Sequence, residues 1–237
     1  MADNSLVTGV VAGGLVALGL VGAGAFVGNG IIHANAGDRT VLVRGLAERN
    51  VQADLAVLPI RFTASGEVLS EVQAKIDSDL VIVRRFLARQ GYPESAVTLG
   101  RLEVADTRSR EYSNQQGPRF ILAQTVVVRT GDVARVQGTT RAMNDLVRQG
   151  VVMQDFAGPT YIFTKLNDVR PAMIAQATAA ARSGAQQFAE DANARLGPIK
   201  EATQGSFEIL DRDGVGEASQ SPDQKVRVVT TVRYQLR

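Results

Sequence analysis

The pattern of apolar and polar residues divides the chain into an uncharged N-terminal segment and a folded body. No charged side chain occurs between Leu6 and Ile32. From Thr40 onward, strand-like alternation and helix-like spacings of three and four follow one another almost to the last residue. The pattern therefore predicts an N-terminal segment, residues 1–37, followed by one folded domain, residues 38–237.

Two strands open the folded body. Thr40 to Arg44 is rich in β-formers, and Val51 to Thr63 begins by alternating as a strand with one buried face does. The polar turn 48–50 lies between them, so the two strands are predicted to form a hairpin. The predicted buried face consists of Val51, Ala53, Leu55 and Val57.

A helix and a long hairpin come next. Apolar residues recur at spacings of three and four from Leu69 to Leu87, and Ser65 is the predicted cap of this helix. Residues 97–112 and 119–130 have the pattern of two strands joined by a polar tip. That tip is either a solvated loop or an arm that contacts a neighbouring subunit.

Strands and helices then alternate along the chain. Asp132 caps a predicted helix that ends at Gly150, and strands are predicted at 151–156 and 161–164. This order is typical of a sheet that is covered by helices on one face.

The longest predicted helix follows. Asn167 or Asp168 is its expected cap, Pro171 lies in its expected first turn, and Gly197-Pro198 ends it. Small residues on its buried stripe would let a sheet approach the helix backbone closely. The predicted stripe is Met173, Ala177, Ala180, Ala181, Gly184, Phe188, Ala192 and Leu196. Facing away from it or at its margins are Arg182, Gln186, Glu190, Asp191 and Arg195.

Two further strand regions are predicted at the C-terminal end of the chain. Residues 199–210 form a predicted strand interrupted at Gly205, and a polar loop follows. From Lys225 to Leu236 apolar and polar residues alternate, so this last strand is predicted to be a structural member of the sheet. The whole pattern predicts an α+β fold in which a sheet is backed by helices.

The uncharged run is long enough to cross a bilayer. As a helix, residues 6–32 would measure about 40 Å, against a hydrocarbon core of about 30 Å. We expect an uncleaved membrane anchor that contacts lipid. One alternative is a cleaved export signal, because Ala34-Asn35-Ala36 resembles a cleavage site. Another is a glycine-rich helix that lines the inside of a protein assembly.

Glycines recur inside this run at helical spacing. Gly9 and Gly13 lie one helical turn apart, as do Gly24 and Gly28. Faces of small residues let membrane helices contact each other backbone to backbone, so these four glycines are candidate packing residues. The alternative is that glycine and alanine are simply common in membrane helices.

Composition narrows the range of functions. The chain of 237 residues is 45% hydrophobic, which is ample for a packed core, and its 26 basic and 24 acidic residues leave a net charge of +2. There is no basic block and aromatic residues are few, which argues against binding to nucleic acid. The absence of cysteine excludes disulfides, thiol nucleophiles, iron–sulfur clusters and cysteine-type zinc sites.

The sequence contains no catalytic or cofactor-binding constellation. The single histidine, His33, lies where the apolar run ends, and no phosphate-binding glycine motif occurs. The acidic segment 211–217 resembles the start of a calcium loop but lacks its later ligands, so an ordinary acidic turn is the better interpretation. We therefore expect no enzyme activity, no cofactor and no metal site.

The order of the elements resembles that of a known family. The features that carry the likeness are a strand closing on Gly45, a helix ending at Gly91, a hairpin into Val126-Val127-Val128, a helix ending Arg148-Gln149-Gly150, and an alanine-rich helix leading to Leu196-Gly197. Together with the apolar N-terminus, they resemble the SIMPL-domain family of exported or membrane-anchored bacterial proteins. The resemblance implies a two-lobed α+β fold with an antiparallel or mixed sheet, a cell-envelope location, ring-like or cage-like homo-oligomers, and an association with oxidative stress.

Two functional hypotheses follow. The first is a non-enzymatic cell-envelope protein that self-assembles into a ring or cage with a structural or stress-related role. The second is a periplasmic binding module for a small apolar ligand or peptide. The expected partners are other copies of the chain, and the lipid bilayer through residues 6–32.

The expected location is the bacterial inner membrane, with a single membrane pass and the folded domain in the periplasm. Charge alone argues the opposite, because Arg39, Arg44 and Arg49 lie only after the apolar run and the positive-inside rule would keep the domain in the cytoplasm. We follow the family resemblance and expect the folded domain to lie in the periplasm.

Overall fold

The computed structural model describes residues 39–109 and 117–237, together with Gly14, residues 19–24 and Phe26. The chain divides into two compact units. The first unit comprises the residues up to Ala47, Ala172–Ser206 and Val228–Arg237, and the second comprises Glu48–Pro171 and Phe207–Arg227.

Nine strands and four α-helices lie within residues 39–109 and 117–237. The strands are β1 (Thr40–Gln52), β2 (Leu55–Gly66), β3 (Val97–Asp106), β4 (Phe120–Thr130), β5 (Val152–Met153), β6 (Thr160–Ile162), β7 (Leu196–Gln204), β8 (Glu208–Asp211) and β9 (Asp223–Leu236). The helices are α1 (Leu69–Arg89), α2 (Val133–Ala142), α3 (Asn144–Arg148) and α4 (Leu166–Asp191).

The C-terminal strand β9 is the central strand of a four-stranded sheet. The strand order is β1-β9-β7, and β8 also pairs with β9. Alternate residues of β9 are buried, from Gln224 through Val228 and Val232 to Tyr234. The prediction that the last strand is a structural member of a sheet is confirmed.

Helix α4 packs in the first unit through a ridge of small side chains. Ala181 and Ala185 contact Val41 of β1 and Val232 and Tyr234 of β9. The buried residues of α4 in this unit are Met173, Ala177, Ala181, Ala185 and Ala189, spaced by four.

The predicted stripe of α4 was wrong in part. Ala180, Gly184 and Ala192 are exposed, and Phe188 is 55% exposed. Side chains four residues apart form a ridge that is inclined to the helix axis. The sheet follows this ridge, whereas the predicted stripe mixed spacings of three and four.

The second unit contains a five-stranded antiparallel sheet. Its order is β3-β4-β2-β5, and β6 also pairs with β2. The predicted long hairpin is confirmed as β3 and β4, with a β-bulge between Leu99 and Leu102. Its predicted polar tip falls mainly on residues 110–116, which lie outside the described residues. Antiparallel sheets and helices together confirm the predicted α+β class.

Helices cover one face of this sheet. Alternate residues of β2 and β4, among them Leu58, Phe62, Leu122 and Val126, form one core cluster with α1. The residues that α1 contributes to this cluster are Val72, Ile76, Val83, Phe86 and Leu87.

The predicted hairpin between the first two strands was wrong. The chain continues as strand through residues 48–50, so β1 is one long strand, and it pairs with β9 rather than with β2. The predicted buried face was also wrong, because β2 buries the even-numbered residues from Ala56 to Phe62. Of the predicted set only Ala53 is buried.

Several element ends differ from the prediction. Ser65 lies in β2, and α1 begins after Val68 without a side-chain cap. Asp132 does cap α2, since its Oδ1 accepts a hydrogen bond from Arg135 N at 2.9 Å. The single helix predicted after Asp132 is instead two, α2 and α3, and α4 begins early enough to place Pro171 beyond its first turn.

Most of the predicted membrane anchor falls outside the described residues, which include only 14, 19–24 and 26 of residues 6–32. Among those that are described, no helix combines the length and the apolar character needed to cross a membrane. The anchor at residues 6–32 stays a prediction.

Candidate functional site

A groove with a volume of about 560 Å³ lies beside α4 in the first unit. One side is formed by Thr178, Arg182, Gln186 and Glu190, which occupy the ridge next to the buried alanines. The buried residues Ala189 and Tyr234 also line it. The other side is the start of β7 and the residues before it: Ala194, Arg195, Leu196, Gly197, Pro198 and Ile199.

The groove exists because α4 covers only part of the sheet. The alanine ridge holds α4 against β1 and β9, and β7 is the next strand. Within the described part of the chain β7 pairs with β9 alone, and residues 198–204 are exposed. The flank of the helix and the uncovered edge strand thus become the two walls.

Two arginine side chains in this groove have no carboxylate partner within residues 39–109 and 117–237. Arg182 and Arg195 make no ion pair with any residue that the structure describes, and the carboxylate of Glu190 makes none either. By contrast, Arg233 of the same unit lies 3.2 Å from Glu201. The groove therefore presents two guanidinium groups and one carboxylate that have no ion-pair partner among the described residues, opposite the apolar start of β7.

A smaller cavity of about 270 Å³ lies in the second unit beside Tyr92. The Tyr92 hydroxyl is 2.9 Å from Thr139 Oγ1, and burial raises the pKa of Tyr92 above its ordinary value. The phenol is therefore protonated at neutral pH. It joins the end of α1 to α2 and is unsuited to act as a base.

Asp79 is a fully buried carboxylate on α1. Its Oδ1 pairs with Lys75, whose ammonium also donates to the carbonyl oxygen of Gly150 at 3.1 Å. Asp79 Oδ2 has no hydrogen-bond partner within the described residues. Asp79 lines neither the groove beside α4 nor the cavity beside Tyr92. Its carboxylate is paired with Lys75, so we assign it to packing rather than to a site.

Asp54 ties the β1–β2 connection to the segment before α4 in the second unit. Thr164 donates to it from its backbone N–H at 2.6 Å and from its hydroxyl at 2.7 Å. Burial raises the pKa of Asp54, but the Thr164 hydrogen bonds, the residue's own backbone and the charge of Lys165 lower it more, so the net pKa is below its ordinary value.

The Asp54→Asn variant is expected to unfold more easily at neutral pH and to resemble the wild type in acid. A carboxylate with a lowered pKa stabilises the fold above the unfolded pKa of about 4, and this stabilisation is lost as the pH falls through the folded pKa. We expect a loss of about 1–2 kcal/mol at pH 7, since hydrogen bonds to a charged group weaken. Urea unfolding at pH 7, 5 and 3 measures it.

The matched control for this prediction is Asp77→Asn, the same change at an exposed position of α1. It should alter the unfolding free energy by less than about 0.5 kcal/mol at each pH. Equal behaviour of the two variants would contradict a stabilising role for the Asp54 carboxylate.

The acidic segment after β8 is a turn held by its own side chains. Asp211 Oδ2 accepts a hydrogen bond from Val215 N at 3.2 Å, and Arg212 Nε lies 3.0 Å from Asp213 Oδ1. The hydrogen bond from Arg212 holds the pKa of Asp213 below its ordinary value. Both carboxylates therefore have partners inside the turn, as the interpretation of an ordinary acidic turn expects.

The structure describes few of the site residues that the sequence predicted. Gly9, Gly13, Gly28 and His33 lie outside the described residues, and Gly24 is a helical residue with nothing near the position of a Cβ. Groups of three or more potential metal ligands are absent from the residues described. The groove along α4 was not predicted, although the sequence placed Arg182 and its neighbours off the buried stripe.

These features define a mixed α+β protein with antiparallel sheets, helices packed on them, and a charged groove beside the longest helix. The chain matches the SIMPL family model, described as "Protein of unknown function (DUF541)", over residues 41–234. Since this match covers most of the chain, the protein belongs to the SIMPL family, as the resemblance implied. The comparison with curated proteins found no match.

Proposed function

We propose that the protein is a non-enzymatic cell-envelope protein that self-assembles into a homo-oligomeric ring or cage with a structural or stress-related role. Residues 6–32 anchor it in the inner membrane and the folded domain lies in the periplasm. The uncharged run supports the anchor. The lack of cysteine and the single histidine support a role without catalysis.

The observation that carries self-assembly is an apolar edge strand. β3 is the end strand of its sheet and pairs only with β4 among the described strands. Leu99, Leu102 and Val104 lie opposite Val126, Gln124 and Leu122, so they share the face that α1 covers elsewhere. They are nevertheless 48%, 41% and 56% exposed.

An edge strand of this kind favours association with another copy. Its outer backbone groups have no strand to pair with in the described part of the chain, and three large apolar side chains lie in one row. Soluble proteins ordinarily protect such edges, and pairing of two edges buries both the backbone groups and the side chains.

Mass photometry of the full-length protein in detergent tests the proposal. We expect one discrete assembly of several chains, and we expect the Leu102→Lys/Val104→Lys variant to shift to lower mass because charge is placed on the edge. The control is Val147→Lys on α3, where the side chain is also 56% exposed. A monomer at every wild-type concentration, or an equal shift in the control, would overturn the proposal.

The groove beside α4 favours a second function, a binding module for a small apolar ligand or peptide. Its volume of about 560 Å³ lies within the usual range for ligand sites. The start of β7 gives it an apolar wall, and α4 gives it a wall of polar and charged side chains, so the groove offers both apolar contacts and hydrogen-bonding groups to a ligand. The two functions use different surfaces and are compatible.

A further inference from the structure

We infer that the groove between α4 and β7 binds a short extended peptide through its free C-terminal carboxylate, with Arg182 and Arg195 as the carboxylate-binding residues. The inference rests on the second of the two functions, ligand binding, and is independent of self-assembly. Three features of the groove lead to it: its length, its free charges and its open strand edge.

The length of the groove fits a peptide of about five residues. Its helical wall extends from Thr178 to Glu190, which is about 18 Å of helix at 1.5 Å per residue. An extended chain rises about 3.3 Å per residue, so about five residues span the wall. A compact ligand would leave much of this length unfilled.

The charged groups of the groove identify one end of the ligand as a carboxylate. Arg182 and Arg195 have no ion-pair partner in the described part of the molecule, and a guanidinium presents two parallel N–H groups that match a carboxylate. Glu190 and Gln186 line the same wall and accept hydrogen bonds. Both side chains are exposed, so the N–H groups of a peptide backbone can donate to them, whereas the chain of a fatty acid carries no donor.

The opposite wall fits an extended backbone. β7 is an end strand among the described strands, and its residues from Pro198 to Gln204 are exposed. A peptide lying along a sheet edge gains backbone hydrogen bonds, and its alternate side chains enter the pockets beside the strand. Leu196 and Ile199 offer apolar contacts there, so the peptide side chains are expected to be small and aliphatic.

The test uses the full-length protein in detergent and two pools of pentapeptides built from alanine, valine and leucine. One pool consists of free acids and the other of the same peptides as C-terminal amides. Native mass spectrometry measures retention, and we expect the acids to be retained about 10-fold better, since the amides lose the charged hydrogen bonds. Arg182→Gln and Arg195→Gln should each lower retention of the acids about 10-fold.

Two further variants separate the groove from general effects. Gln186→Trp places a large side chain at an exposed position of the groove wall and should reduce retention of both pools. Arg141→Gln removes the same charge from an exposed position of α2 in the second unit and should leave retention unchanged. Circular dichroism checks that every variant is folded.

Equal retention of acids and amides, or wild-type retention by Arg182→Gln and Arg195→Gln, would overturn the inference. Retention of decanoate in place of the peptides would assign the groove to fatty carboxylates and overturn it as well. The same spectra report the mass of the assembly. An intact assembly that retains no peptide would reject peptide binding and leave self-assembly standing. A monomer that retains peptide would reject self-assembly and leave peptide binding standing.

Discussion

Replacing Gly45 by alanine is expected to cost more than about 5 kcal/mol, which is exceptional for one methyl group. A Cβ at Gly45 would overlap the carbonyl oxygen of Ala177 and lie 2.5 Å from Ala181 N and 2.9 Å from Ala181 Cβ. These are backbone atoms and a β-carbon, which no rotamer change can move away. Helix α4 would have to leave β1, and the contacts of its alanine ridge in the first unit would be lost.

Thermal unfolding and hydrogen exchange of the full-length protein measure the effect of this change. We expect amide protection to fall in residues 41–47 and 177–189. The control is Gly184→Ala on the exposed side of α4, where an added Cβ meets nothing within 4 Å. That change should be neutral or should stabilise by about 0.5–1 kcal/mol, as alanine favours helix. A Gly45→Ala protein as stable as the wild type would show that strand and helix are not in backbone contact.

The sequence predicted this close approach but not its partners. Alanines and glycines on α4 indicated that a sheet would lie near the helix backbone, and Gly45 closed a predicted strand. That the two meet is a long-range relation between residues more than a hundred positions apart, and local periodicity carries no information about it. The structure supplies that relation.

Strand pairing shows the same limit. Polar residues 48–50 have the composition of a turn, yet β1 continues through them as an exposed stretch of strand. Whether β1 pairs with β2 or with β9 depends on the packing of the whole sheet and not on the local sequence of β1. The prediction of which alternate residues of β2 are buried was wrong for a related reason. Val51 belongs to β1, and β2 is a separate strand that starts after Asp54, so one alternating pattern cannot be extended from one to the other.

Polar positions on apolar stripes were missed as well. Asp79 lies between Ile76 and Val83 on the buried face of α1, where a hydrophobic pattern expects no carboxylate. Lys75, one turn earlier, makes its burial tolerable. In the groove, the sequence correctly placed Arg182 and Arg195 off the buried stripe, but only the path of β7 shows that they line a cavity together.

Deleting residues 228–237 is expected to unfold the first unit. This segment is the part of β9 that lies between β1 and β7. It pairs with β7 from Thr230 to Leu236, and the N–H of Leu236 donates to the carbonyl of Arg39 at 2.8 Å. Without it, β1 and β7 have no common neighbour, and two isolated strands are not stable in water. The loss is therefore far larger than that of any one side chain.

Hydrogen exchange of the full-length and truncated chains locates the damage. Residues 196–204 and 177–189 should lose their protection, whereas the paired strands β2 and β4 should keep theirs, because they belong to a separate core cluster. The matched control removes residues 214–216, which are exposed in the loop between β8 and β9. Shortening a loop changes its closure entropy little, so this control should stay protected throughout. Wild-type protection of residues 196–204 in the truncated chain would mean that β9 is not the strand that holds this sheet together.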